Sequence, residues 1–252
     1  MTENGGSVTI AYYGAAAFRL VTASGRKILI DPCLTENPQC QEKLESFYDA
    51  ELIIVSHGAA DHLGDTVALL ENSRAKLVCG ADVGKYVHDQ GIPWERIGVT
   101  LYGDEREYDG IQIKTVFAQH ISRIETKDRN YYGIPLAYVI TTEDGIRIFH
   151  PGDTALFGDL QLIGRLHHPH IFMVGIGSFA EGLPTEMNAS EAAMAALWVA
   201  PDVVIPMHYA PGAAAPQRFL EAVRIIAPRV QPVMLEPNRE FVYRKFQVCY
   251  DK

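Results

Sequence analysis

Short apolar runs, rather than long amphipathic stretches, recur along this chain. Ser7–Tyr12, Ala17–Val21 and Lys27–Ile30 read as strands, with Ser24-Gly25 as the turn between the second and third. Asp31-Pro32 ends the third strand. Glu51–Val55 is an unbroken apolar run, the pattern of a strand covered on both faces. Lys76–Cys79, Ile97–Leu101 and Ile111–Phe117 read as further strands. Leu136–Thr142 and Ile146–Phe149 form a hairpin around Glu143-Asp144-Gly145. His170–Val174, Val203–Ile205, Gln231–Leu235 and Glu240–Tyr243 complete the predicted strands.

Helical spacing is found at Asp65–Asn72, Ala81–Gln90, Asp159–Leu166, Asn188–Val199 and Pro216–Ile226. Gly91 and Pro93 stop the second of these, and Asn188 with Glu191 forms a capping pair for the fourth. Gln41–Tyr48 reads as a short helix or a loop, and residues 121–133 read as a polar loop. Hairpin-linked strands followed by strand–helix alternation occur twice. That order predicts two similar halves: two mixed sheets packed face to face, with helices outside. No Pro/Ser-rich linker interrupts the pattern, so residues 1–252 read as one α/β domain.

Composition narrows the function. The chain has 252 residues, 48% of them apolar, and a net charge of −9. No extended basic run offers a footprint for a nucleic acid backbone, so no nucleic acid partner is expected. Arg123, Lys127 and Arg129 read as a solvated loop. Cys33, Cys40, Cys79 and Cys249 fit no thiolate metal spacing and read as reduced thiols, which points to a cytoplasmic protein. The polar start of the chain lacks the pattern of a signal peptide, and no apolar stretch is long enough to span a membrane. The alanine-rich segment 188–200 is read in two ways, as packed inside the monomer or against a second copy in a homo-oligomer.

The chemistry collects after the apolar runs. Ser56-His57-Gly58-Ala59-Ala60-Asp61-His62-Leu63-Gly64-Asp65 follows the Glu51–Val55 strand and places His57, Asp61 and His62 in one loop. His120, Asp153 and His208 each follow another strand. Strand ends on one rim bring such loops together. Imidazole and carboxylate donors suit zinc, manganese or iron, and six of them from four loops suffice for two ions. His88, His167 and His168 read as surface residues and His170 as structural, whereas His150 reads either as a partner that orients a ligand or as packing.

These motifs resemble the metallo-β-lactamase-fold hydrolases over nearly the whole chain. The carriers are the 56–65 box, His120, the run His150-Pro151-Gly152-Asp153-Thr154-Ala155-Leu156-Phe157-Gly158-Asp159, and Val204-Ile205-Pro206-Met207-His208-Tyr209. The last two runs look most like the branch that holds the L-ascorbate-6-phosphate lactonase and many uncharacterised metal-dependent hydrolases. The resemblance implies an αββα sandwich. It implies one metal on His57 and His120, another on Asp61, His62 and His208, and Asp153 bridging. The family box has a histidine where this chain has Ala59. One tight divalent ion, zinc or manganese, is therefore expected at Asp61, His62, Asp153 and His208, with a second, weaker one beside His57 and His120.

The implied activity is hydrolysis of a small ester, lactone or phosphoester, with Asp61 or Asp153 aligning or deprotonating the attacking water. His150 and Tyr209 are the expected helpers at the developing oxyanion. A non-catalytic small-molecule binder is the alternative that Ala59 motivates, and a nuclease of the same fold is a weaker one. Loops 34–50, 121–133 and 178–187 are expected to select the substrate, with Ser178–Pro184 in the pocket wall.

Overall fold

The computed structural model describes residues 6–178 and 186–245. The first half contributes strands β1 (Ser7–Gly14), β2 (Ala17–Thr22), β3 (Lys27–Ile30), β4 (Leu52–Ile54), β5 (Lys76–Cys79) and β6 (Ile97–Val99). Helices α1 (Ala60–Leu63), α2 (Thr66–Asn72) and α3 (Ala81–Asp89) lie between them. The second half contributes β7 (Glu105–Tyr108), β8 (Ile111–Phe117), β9 (Ser122–Glu125), β10 (Asn130–Gly133), β11 (Leu136–Thr141), β12 (Arg147–His150), β13 (Ile171–Gly175), β14 (Val203–Met207), β15 (Gln231–Pro232) and β16 (Glu240–Arg244). Its helices are α4 (Asp159–His167), α5 (Ala189–Val199) and α6 (Ala215–Ile226).

The predicted symmetry is present. One seven-stranded sheet runs β16-β1-β2-β3-β4-β5-β6, and the other runs β15-β14-β13-β12-β11-β8-β7. In each, an antiparallel hairpin region passes into parallel strands, at β3–β4 in the first and β12–β13 in the second. Parallel pairing needs crossover helices, and these cover the outer faces. The residues of β4 and β14 are accordingly all buried. Between the sheets, one apolar cluster joins Ile10, Phe18 and Ile30 to Tyr138, Phe149 and Phe172.

Local chemistry explains the less regular elements. Pro206 sits in a strand flanked on both sides, yet β15 reaches only Val203 and Val204, so the missing N–H of Pro206 leaves no ladder bond unmade. The capping box at α5 forms as predicted, with Asn188 Oδ1 accepting from Ser190 N (2.9 Å) and Glu191 N (3.1 Å), and Glu191 accepting from Asn188 N. Ala192, Ala193, Ala195 and Ala196 are buried within the chain, with α5 packed between α4 and α6. These four alanines pack inside the monomer. A Cβ on Gly164 would lie 2.6 Å from the Val199 carbonyl oxygen, so only glycine lets α4 approach α5 this closely.

The expected loop 121–133 is instead a hairpin, with β9 and β10 forming their own two-stranded sheet. Ser122, Arg123, Ile124 and Glu125 alternate buried and exposed, and Ile124 joins the cluster under α3. Its single apolar side chain was too small a signal among polar neighbours. The polar edge strand β7 and the helical turn α1 were missed for the same reason. The segment 41–48 holds a 3-10 turn at Leu44–Phe47.

Candidate metal centre

The strands of both sheets end at one rim, and the six ligands read from the sequence converge there. The turn after β4 carries His57, and α1 carries Asp61 and His62. His120 follows β8, Asp153 follows β12 and His208 follows β14. Gly152 makes the Asp153 approach possible: its φ is +60°, and a Cβ there would stand 2.6 Å from Ser56 Cβ.

Three overlapping triads have their ligand atoms within 4.8 Å of one another: His57, His62 and Asp153; Asp61, His62 and His208; His120, Asp153 and Glu186. Asp153 Oδ2 lies 3.3 Å from both His62 Nε2 and His208 Nε2, and His208 Nε2 lies 3.1 Å from Asp61 Oδ2. The His57 and His120 rings meet edge to face at 5.0 Å.

The buried Asp31, which sequence reasoning read only as the end of a strand, organises two of the imidazoles. It accepts from Ser56 N (2.7 Å), Ser56 Oγ (2.7 Å) and His62 Nδ1 (2.8 Å). With its hydrogen given to Asp31, the Ser56 hydroxyl oxygen accepts from His57 Nδ1 at 3.1 Å. Both rings are thereby held with Nδ1 turned to Asp31 or Ser56 and Nε2 facing the cluster. His208 is oriented similarly, with Nδ1 donating to the Gly177 carbonyl at 3.2 Å. Asp31 and His208 both have left-handed backbones, at φ 44° and 55°, a conformation that costs about 1 kcal/mol or more in a non-glycine residue.

Electrostatics follow from this crowding. Burial alone would raise the Asp153 carboxyl, but the His62 and His208 imidazoles hold it far below the carboxylate range. Burial works against a charged His62, yet Asp153 and Asp31 on either side push it well above the histidine range. Burial, assisted by His62, drives His57 down to about 3, so that ring is neutral. Burial opposes ionisation of Asp61, while its hydrogen bond with His208 and the charge of His62 bring it to about 2. Burial and the Asp153 carboxylate raise Glu186.

Three buried atoms of this cluster make no hydrogen bond: His57 Nε2, His62 Nε2 and Asp153 Oδ1. An unpartnered buried polar group costs about 1–3 kcal/mol, and these three share one space. Two imidazole nitrogens, that of His62 once it yields its proton, and a carboxylate oxygen are the donor set of a divalent cation, so the residues present fit one.

The two helper residues are placed differently from expectation. Both His150 ring nitrogens are engaged behind the cluster rather than in the cleft, Nε2 with the Ala16 carbonyl (3.3 Å) and Nδ1 with the Gly152 N–H (3.2 Å), 3.8 Å from Asp31 Oδ2. His150 shapes the turn that delivers Asp153. Tyr209 is a correction: its buried ring lies against Tyr12 and its hydroxyl reaches Met234 Sδ at 4.0 Å, so it packs in the core. Besides Asp31, the sequence reading missed Glu186 as a candidate ligand, since it fell only within the 178–187 loop expected to select the substrate. The expected pocket-wall segment Ser178–Pro184 lies outside the described residues beyond Ser178, and Cys249 also lies outside them. Cys33, Cys40 and Cys79 are free thiols.

Two clefts meet at the cluster. One, of about 790 Å³, is lined by His57, Ala59, Asp61, His120, Arg123 and Glu125 among others. The second, of about 810 Å³, shares His120, Ile121 and Arg123 and continues over Tyr102, Phe117, Tyr132, Ile134 and Phe157. Phe117, Ile121 and Tyr132 are more than half exposed, a large apolar surface to leave beside a polar centre. Among the described residues no helix is long and apolar enough to cross a membrane.

Comparison with known proteins gives a consistent picture. The beta-lactamase superfamily domain matches residues 26–209. A UPF0173 metal-dependent hydrolase of Rubrobacter xylanophilus is 35% identical over 246 residues, covering 93% of this chain and 96% of the relative. A protein of the same name from Methanobrevibacter smithii is 34% identical, with 93% and 96% covered. Among solved structures, a metallo hydrolase from Ignicoccus hospitalis superposes with a TM-score of 0.81 at 27% identity, covering 96% of this chain and 100% of its own. An isothiocyanate hydrolase from Delia radicum gut bacteria shares the fold, with a TM-score of 0.71 at 16% identity over 94% of this chain and 100% of its own.

Proposed function

This chain belongs to the beta-lactamase superfamily, as a metal-dependent hydrolase, and we propose that it cleaves a small ester, lactone or phosphoester carrying an apolar group. The observation that carries this reading is the set of three buried atoms without a hydrogen bond, His57 Nε2, His62 Nε2 and Asp153 Oδ1, on three residues whose ligand atoms lie within 4.8 Å of one another beside a cleft that His57 lines. Asp61, His62, Asp153 and His208 would hold one divalent cation, zinc or manganese by donor type. When bound, such an ion supplies Lewis acidity toward water and toward a carbonyl or phosphoryl oxygen.

The chain's own residues divide the remaining work. Asp61 is part-exposed to the cleft and ionised, so its carboxylate accepts a hydrogen bond from the attacking water and orients it. Its low basicity suits it to alignment more than to proton removal. Asp31, directly and through Ser56, keeps the His62 and His57 nitrogens aimed inward. The Phe117, Ile121 and Tyr132 side receives the apolar part of the substrate and sheds water from it.

A small substrate is favoured over a nucleic acid by the pairing of Arg123 with Glu125 (3.3 Å) and Arg129 with Asp89 (3.4 Å), which offsets two of the three basic side chains of the hairpin. The test is a hydrolysis screen over lactones, carboxylic esters and phosphoesters with short and long apolar groups. Turnover is expected to vanish on exhaustive chelation and return with zinc or manganese. Undiminished turnover after chelation would refute the reading.

A further inference from the structure

The residues toward His57 and His120 lack the fourth donor that the other side possesses, because Ala59 presents only a methyl group to the cleft. A carboxylate occupies the gap from a different part of the chain. One Glu186 oxygen lies within 4.8 Å of both a His120 ring nitrogen and an Asp153 oxygen. Bonds of about 2.0–2.2 Å to a common ion hold two donors no more than about 4.4 Å apart, so small side-chain movements bring all three onto one cation. We propose that Glu186 completes a second divalent-cation site with His57, His120 and Asp153, in place of the donor that Ala59 lacks.

The proposal rests on the metal-dependent reading above and adds to it a second ion and a ligand from outside the 56–65 box. Its independent support is the buried His57 Nε2, which has no partner although its ring meets His120 at 5.0 Å. Asp153 Oδ1 is likewise without a partner, while its Oδ2 is already shared by His62 and His208. One carboxylate oxygen therefore remains for each side of the cluster. Glu186 is also held in place: Met187 is buried beside it, and the capping box at Asn188 fixes the chain that follows. Two imidazoles and two carboxylates form a donor set suited to zinc, manganese or iron.

Zinc uptake by chelator-stripped full-length protein tests this, by equilibrium dialysis with elemental analysis and by the visible absorption of cobalt(II) in parallel. The wild type is expected to take two equivalents. Glu186→Gln should keep the tighter one and weaken the other at least about tenfold, since removing even an outer partner of a ligand costs 10–100-fold. Adding Ala59→His to Glu186→Gln should restore the second equivalent. Unchanged uptake in Glu186→Gln, or no recovery in the double variant, overturns the proposal. A wild type that takes one equivalent overturns it too, while leaving the metal-dependent reading intact; a wild type that takes none overturns both.

Discussion

The two ends of the sandwich carry similar residues in opposite condition. At the end away from the cluster, the turns present acids that are already satisfied. Glu143 accepts from Thr22 Oγ1 (2.6 Å) and Ser24 N (2.9 Å), and so ties the second sheet to the first. Asp144 accepts from Ser7 N at 2.8 Å, and the cavity there, of about 720 Å³, is bordered by the Arg26–Glu51 and Lys27–Asp49 pairs. At the other end, buried imidazoles and carboxylates hold each other in place yet leave three atoms without a hydrogen bond. The difference shows where charge serves to join the halves and where it awaits a ligand. Among the described residues, no buried side-chain atom lining the far cavity lacks a hydrogen bond, and size alone does not make it a site.

The largest effect is expected from Asp153→Ala, which touches every triad but one at the rim. Zinc affinity should fall by more than about 100-fold, beyond the cost of losing an outer partner. Hydrolysis should fall to background, and a variant that keeps both would show that the rim carboxylates do not await a cation. Asp31→Asn keeps volume but removes the charge that fixes His62 and, through Ser56, His57. It is expected to weaken zinc binding by about 10–100-fold, measured by titration against a chromophoric chelator.

Zinc at about 100 times its Kd should stabilise the folded protein by about 2.7 kcal/mol. For a chain of this length that corresponds to a melting shift of roughly 5–10 °C, and scanning calorimetry of stripped and reloaded protein measures it. The smallest effect is expected at the far end. Glu143→Gln should cost under about 1 kcal/mol, because solvent screens this exposed carboxylate, and should leave zinc binding unchanged. Burial opposes ionisation of Glu143, but the hydrogen bonds from Ser24 and Thr22 lower its carboxyl in the folded state. Its contribution is therefore present above the unfolded pKa, near 4.3, and is lost as pH falls through the folded one. Urea melts of wild type and variant should converge in acid and separate at neutral pH.

The far end was the more legible in sequence, because Ser24-Gly25 and Glu143-Asp144-Gly145 announce their turns locally. The duplicated strand order was legible too, since hairpin signals followed by strand–helix alternation repeat in each half. At the metal end, His57, Asp61 and His62 stood out because three donor types crowd one loop. Asp31 did not, as Asp-Pro after a strand is an ordinary chain terminator. Its role depends on the parallel pairing of β3 with β4, which sets it beside Ser56. Glu186 lay in the 178–187 loop, where no motif marks a metal ligand, and only the return of the chain to the rim brings it to His120. Tyr209 failed for the converse reason. It neighbours His208 in sequence, but the left-handed backbone at His208 sends the two side chains to different places.

The claim that the rim awaits a cation is tested most directly by isothermal titration of zinc into chelator-stripped protein, with Asp153→Ala alongside. The wild type is expected to bind at least one equivalent with submicromolar affinity, and the variant to lose it. A folded, stripped wild type that takes up no zinc, manganese or iron would contradict it.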